Sequence, residues 1–483
     1  MDPTPDRMSS PSTPERALQD VLLDATDARP VHFVGIAGAG MSALAELLAR
    51  RGVRIQGTDA NPGGAPDLAR YGIAVRDHDA TMVQGARALV YSSAIPTTHP
   101  EMQAARAAGI PVVRRAEALA AAVSGGSLVG IAGTHGKTTT TVMTTEALAA
   151  AGVDPTGVVG GRVTAWGGNL RLGGPCAVVE ADEYDRSFLA LTPSVAVVLN
   201  VEADHLDIYR DLADIAGAFT QFLAPARTVV RCADDPGAMA LPLGAGQEEL
   251  AYSATAPGDV PAPGAVHARL VAQELVLDAA GARWMTTLDG RPCGEVRLAV
   301  PGLHNVRNAL AALGAGIALG QSVPALAQGL ARFTGVERRF QRLGEARGVL
   351  VVDDYAHHPT EVRATLAAAR HACPGRRLVV VFQPHLYSRT RDFASAFAEA
   401  LAEADELWLC DIYGARETPD PAVTADLIAR ELPAGRLAWR GARDAVVAPL
   451  AAAVRAGDVV LTVGAGDVTA VGPALLARLG GAV

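Results

Sequence analysis

Lysine is almost missing from this chain: of its 42 Lys and Arg residues, all but Lys137 are arginine. Wherever a positive charge merely keeps a surface wet, the chain uses a guanidinium. The one ammonium therefore marks a place that needs a compact point charge and not a planar fork. Aromatic residues are also scarce, at 4% against 49% hydrophobic residues, so large cores must be built from Ala, Val and Leu. The five cysteines (Cys176, Cys232, Cys293, Cys373 and Cys410) are odd in number and show no CxxC spacing. That excludes a disulfide framework and suits a reducing, cytoplasmic setting, with each thiol a small core residue. A basic surface is lacking too: the net charge of −9 argues against a general nucleic-acid binder, which must neutralise phosphates. Long hydrophobic runs are absent. The longest uncharged stretch, residues 309–331, is interrupted by glycines, two glutamines and Pro324, which predicts two short buried helices and no membrane span. Residues 1–28, rich in Pro, Ser, Asp and Arg, carry no apolar segment of the kind a signal peptide needs, and read as a disordered tail.

What is present is a regular alternation of strand and helix patterns. At 483 residues the chain is too long for one core. The fold class expected is α/β with three domains: Rossmann-like at residues 29–124, a P-loop ATPase-like centre at 125–335, and Rossmann-like again at 336–483. In the first, a strand at 31–35, a helix at 41–51 and a strand at 54–58 form a βαβ unit, with strands following at 88–92 and 112–114. The second opens with a strand at 128–132 and a helix at 139–151, then strands at 177–180 and 195–200. Its Gly- and Pro-rich stretch 232–300 suggests antiparallel excursions. The third alternates a strand at 349–355, helix 360–372, strand 378–382, helix 392–404 and strand 406–412, with a last strand at 458–463. Strands joined by helical crossovers make parallel sheets, whose ligands sit beyond the carboxyl ends of the strands.

The segment Gly133-Thr134-His135-Gly136-Lys137-Thr138-Thr139 lies between the 128–132 strand and a helix, the context a phosphate-binding loop requires. Glycines let backbone N–H groups turn toward a phosphate, and the helix N-terminus adds a favourable partial charge. Lys137 can reach the β- and γ-phosphates of ATP, and Thr138 offers a hydroxyl to Mg²⁺. Ile131 stands at the first glycine position of the strict motif. Two later strands end in acidic clusters, Glu180-Ala181-Asp182-Glu183 and Asn200-Val201-Glu202-Ala203-Asp204-His205. Glu180 is placed to be a hard oxygen ligand, and the imidazole of His205 suits a second metal. In the first domain, Gly35-Ile36-Ala37-Gly38-Ala39-Gly40 sits on a strand-to-helix turn with Asp59 after the next strand. This is a degenerate dinucleotide fingerprint, with Ala37 in place of the middle glycine, and it supports binding of a diphosphate bearing a ribose. A nicotinamide oxidoreductase would leave the phosphate loop unexplained, and a P-loop motor or switch would have no use for a third doubly wound block.

These motifs are joined by Tyr91-Ser92-Ser93-Ala94-Ile95-Pro96, Pro301-Gly302-Leu303-His304-Asn305-Val306-Arg307-Asn308, Arg338-Arg339-Phe340-Gln341, Asp353-Asp354-Tyr355-Ala356-His357-His358-Pro359-Thr360-Glu361 and Phe382-Gln383-Pro384-His385-Leu386-Tyr387-Ser388-Arg389-Thr390-Arg391. Taken in order over nearly the whole chain after the tail, they resemble the Mur ligase family. The resemblance is nearest to members that join L-alanine to the lactyl carboxylate of UDP-N-acetylmuramate in peptidoglycan precursor synthesis. A member that recycles cell-wall tripeptide onto the same sugar is the neighbouring alternative. The resemblance implies a cytoplasmic monomer or homodimer, with no nucleic-acid or membrane partner, that activates the carboxylate as an acyl phosphate and then couples it to an amine. It implies that residues 133–139 hold ATP, with His304, Asn305 and Asn308 meeting the nucleotide. Thr138 and Glu180 would bind one Mg²⁺ and His205 a second. Lys137, His205, His357 and Arg389 would be catalytic, His357, His385 and Arg389 orienting the amino acid and the acyl phosphate. Gly38, Asp59, Ser92 and Ser93 would meet the UDP-sugar. Sister ligases hold the second metal with a carbamylated lysine; here no lysine remains for that role, because Lys137 is already committed.

Overall fold

The computed structural model describes residues 14–205, 208–415 and 417–480. It is an α/β protein with three sheets. By contacts the chain forms two compact units. One holds the described residues up to Thr141, with Gly152–Val230 and Ala240–Glu249; the other holds Val142–Ala151, Arg231–Met239 and the described residues from Leu250 onward.

The first unit contains a five-stranded parallel sheet in the order Val75–Arg76, Ile55–Thr58, Val31–Val34, Ala88–Tyr91, Val112–Arg114. Strand order reverses between Val31–Val34 and Ala88–Tyr91, and the crevice beyond such a switch point is where open sheets bind ligands. The glycine turn at Gly35 and the pair Ser92–Ser93 leave the sheet on either side of that point. In the same unit the strand Leu128–Ala132 lies between Val195–Val198 and Ala177–Glu180, parallel to both. All five of its residues are buried, as expected for a parallel strand covered on both faces.

In the second unit Leu270–Asp278, Gly281–Leu288 and Arg291–Leu298 form the expected antiparallel meander. Residues 309–331 fall on two helices, Leu303–Ala318 and Val323–Arg332. Among the described residues no helix is long and apolar enough to cross a membrane. The last sheet runs Gln341–Ala346, Val349–Asp354, Val459–Val463, Leu378–Phe382, Glu406–Cys410, Leu437–Gly441, parallel except for its first strand. The helix expected at 392–404 is Ala394–Leu401, preceded by a separate short helix, Tyr387–Asp392, from which it parts at Phe393 where φ is −120° and ψ 18°.

The tail expectation needs correction. Residues 1–13 lie outside the described residues, but Pro14–Leu23 is a helix. Leu18, Val21 and Leu22 recur at the i, i+3, i+4 spacing of an apolar stripe, which an average over a Pro- and Ser-rich segment conceals. Leu22 is fully buried, and the guanidinium of Arg87 donates to the carbonyls of Leu22 (3.2 Å) and Asp27 (3.3 Å).

Candidate active site

The phosphate loop is shaped by its glycines. Gly133 has φ +148°, and a Cβ there would lie 2.9 Å from that of Leu199; Gly136 has φ +84°. Asn200, just past a neighbouring strand, clamps the loop. Its carbonyl accepts from Thr134 N (3.2 Å), its Oδ1 accepts from His135 N (2.7 Å), and its Nδ2 donates to His135 O (3.2 Å). The helix Lys137–Ala150 then starts at Lys137, so the first N–H groups of that helix face the loop.

Lys137 Nζ donates to Gly133 O at 2.8 Å and lies 2.9 and 2.7 Å from the two carboxylate oxygens of Glu183. Burial works against the ammonium, but the charges of Glu183, Asp182 and Glu180 outweigh it and raise the pKa, so Lys137 stays protonated. Glu183 is buried, and its backbone carbonyl accepts from Tyr209 OH at 2.6 Å. Thr138 Oγ1 donates to Glu180 Oε1 at 2.8 Å, and Glu180 Oε2 accepts from Gly160 N at 2.6 Å. These hard oxygens converge beside the loop, a donor set that fits Mg²⁺. His205, held at φ +53°, has Nε2 3.7 Å from Glu183 Oε1 and 3.9 Å from Asp204 Oδ2. Asp185 (φ +51°) and Arg186 (φ +61°) follow in the left-handed region, strain of the kind that gathers at working sites.

The other candidates fall into local groups. At the first sheet, Gly38 caps the helix Ala39–Arg50, and Asp59 Oδ2 accepts from Ala37 N (2.9 Å) in the glycine turn. Ser92 Oγ accepts from Ala94 N at 3.3 Å, and Ser93 is exposed. In the second unit, Asn305 and Asn308 are buried on one helix: Asn305 Nδ2 donates to Pro301 O (2.7 Å), and Asn308 Nδ2 to Asn305 Oδ1 (3.3 Å). His304 loses solvent and faces the guanidinium groups of Arg307 and Arg339, which together press its pKa down to about 4. His357, His385 and Arg389 meet at the rim of the last sheet. The two imidazole centroids are 5.9 Å apart, and Arg389 Nη1 lies 3.5 Å from His385 Nδ1.

The pairing of the sole lysine with Glu183 is the feature sequence reading missed. Glu183 stood in a quoted acidic cluster without a role; its place three residues past Glu180, at a strand end on the rim of the loop, was the available signal.

This fold and this loop define a nucleotide-dependent α/β enzyme. Three family descriptions match successive parts of the chain: "Mur ligase family, catalytic domain" at residues 30–126, "Mur ligase middle domain" at 131–316 and "Mur ligase, glutamate ligase domain" at 338–466. The UDP-N-acetylmuramate–L-alanine ligase of Kineococcus radiotolerans is 51% identical over 460 residues, 92% of this chain and 95% of the relative. That of a Nocardioides species is 45% identical over 470 residues, 96% and 99% of the two chains. The crystal structure of the UDP-N-acetylmuramate–alanine ligase MurC from Thermotoga maritima superposes with a TM-score of 0.77 at 27% identity, covering 93% of this chain and 98% of that one. The chain belongs to the Mur ligase family, and its α/β fold has the three domains of that ligase.

Proposed function

We propose that this enzyme joins L-alanine to the lactyl carboxylate of UDP-N-acetylmuramate at the expense of ATP, in the synthesis of peptidoglycan precursors. The observation that carries the reading is the loop lysine with the Thr138–Glu180 pair beside it, in a chain whose curated relatives bear that activity at up to 51% identity. Residues 29–124 then take the UDP-sugar, 125–335 ATP, and 336–483 the amino acid. The site belongs in the cytoplasm, where ATP and nucleotide sugars are made, and the five cysteines are free thiols.

A free carboxylate is a poor electrophile. A lactyl oxygen attacks the γ-phosphorus, the bond to the β,γ-bridging oxygen breaks, and ADP leaves with the electron pair. The alanine amine then attacks the acyl carbon, phosphate departs, and the nitrogen gives up a proton. Little covalent chemistry falls to the protein, so positioning and charge neutralisation dominate. Lys137 holds a fixed positive charge where the transferring phosphoryl group must pass. Thr138 and Glu180 are the residues to hold one Mg²⁺, with His205 for a second, and when bound the ion neutralises phosphate oxygens. Asn305 and Asn308, with His304, are the residues of the second unit that this reading assigns to the nucleotide. His385 and Arg389 lie close enough to act on one small anionic group, and His357 stands beside them.

The test is phosphate release from ATP with UDP-N-acetylmuramate against a panel of twenty amino acids plus the cell-wall tripeptide. Release should require all three substrates and be fastest with L-alanine. Release without the sugar, or preference for the tripeptide, would overturn the reading.

A further inference from the structure

Glu101 is fully buried, although it is a carboxylate on the first turn of the helix Pro100–Ala107. Four groups converge on it. His32 Nε2 lies 2.7 Å from Oε2, and Thr58 Oγ1 donates to the same oxygen at 2.7 Å. Oε1 lies 3.0 Å from His78 Nδ1 and accepts from Asp79 N at 3.0 Å. Gln56 Nε2 lies 3.3 Å from His32 Nδ1, the other nitrogen of that ring. His78 and His99 stack edge-on at 4.5 Å, and with Glu101 they are near enough to suggest a cation site. Both carboxylate oxygens are already saturated by the four groups, so the cluster needs no ion. Burial would raise the pKa of Glu101, but the bonds from His32 and Thr58 outweigh it and keep the group ionised.

The consequence runs through Thr58. Its side chain is tied to Glu101, while its carbonyl accepts from Gly35 N (2.8 Å) and Ile36 N (3.1 Å), the first amides of the glycine turn. The next residue, Asp59, closes the same turn by accepting from Ala37 N at 2.9 Å. We infer that Glu101 is a positioning residue for the nucleotide sugar: through Thr58 it fixes the glycine turn at the switch point of the first sheet without touching the substrate. The inference rests on the functional reading above, in that the turn is taken to meet the UDP portion.

The test is steady-state kinetics of the full chain carrying Glu101→Gln, Thr58→Val or Thr58→Ser. Losing one charge-assisted bond should raise KM for UDP-N-acetylmuramate by about tenfold in the first two. The KM for ATP and kcat should stay within about twofold, and Thr58→Ser, which keeps the hydroxyl, should restore the wild-type KM. If Glu101→Gln does not fold, Thr58→Val, nearly isosteric with threonine, carries the comparison with Thr58→Ser. An unshifted sugar KM, or an equal rise in both KM values with a fall in kcat, would overturn this inference. An inactive wild type would instead overturn the functional reading beneath it.

Discussion

Lys137 Nζ is bonded at once to the carbonyl of Gly133, four residues before it, and to the buried carboxylate of Glu183 from the end of a neighbouring strand. The ammonium of the only lysine in the sequence is thus held from two sides, with its side chain 12% exposed. Catalysis at such a position, unlike the fold, does not tolerate a larger cation. Lys137→Arg keeps the charge opposite Glu183, so the fold should survive, with a melting temperature within a few degrees of wild type. The planar fork cannot place its charge where the ammonium does, and turnover should fall by about a thousandfold or more. Phosphate release and thermal unfolding check the two halves, and near-normal turnover would discredit the loop assignment.

Glu180 bridges Thr138 Oγ1 and Gly160 N, so one of its oxygens meets the loop and the other the strand Thr156–Val163. Glu180→Ala removes the carboxylate proposed to hold Mg²⁺ while sparing Lys137. The Mg²⁺ concentration for half-maximal activity should rise by about tenfold or more. A superimposable Mg²⁺ titration would rule Glu180 out as a ligand.

The strands could be read from the sequence because they are continuous apolar runs: Leu128–Ala132, Val195–Val198 and Leu378–Phe382 are buried along their whole length. The glycine turn between the strand Leu128–Ala132 and the helix Lys137–Ala150 was legible because its spacing is short-range and its lysine has no rival. What stayed hidden depends on side-chain direction and distant contacts. Nothing local distinguishes Glu183 from Asp182, yet one pairs with Lys137 and the other does not occupy that bond. The network of His32, Thr58, His78 and Glu101 draws on two strands, a loop and a helix, which no window along the chain can connect. The helix Pro14–Leu23 was lost for a different reason, since its stripe is only three residues strong and lies within a polar, proline-rich composition.

That helix makes its own prediction. Leu22 has no exposed surface and is the stripe's most buried member. Leu22→Ala should cost about 2–4 kcal/mol of stability, the transfer term plus the cavity left behind. Denaturant unfolding measures this directly. A loss under about 0.5 kcal/mol, the range of ordinary surface changes, would return the segment to the status of a tail.

His304 offers a titration with a defined sign. Desolvation and the facing arginines lower its pKa from 6.5 in the unfolded chain to about 4 in the folded one. The folded state therefore binds fewer protons than the unfolded state between those values. Stability from the neutral ring is fully present above pH 6.5 and is lost as pH falls toward 4. Asp354 works in the opposite sense over part of this range, because burial pushes its carboxyl up to about 6 and favours folding as it protonates. The wild-type curve alone would mix the two. Subtracting the unfolding free energy of His304→Gln at each pH cancels Asp354 and isolates the histidine. The difference should move against wild type by about 1–3 kcal/mol between pH 7 and pH 4. A flat difference would mean that the ring of His304 protonates as freely in the folded protein as in the unfolded chain.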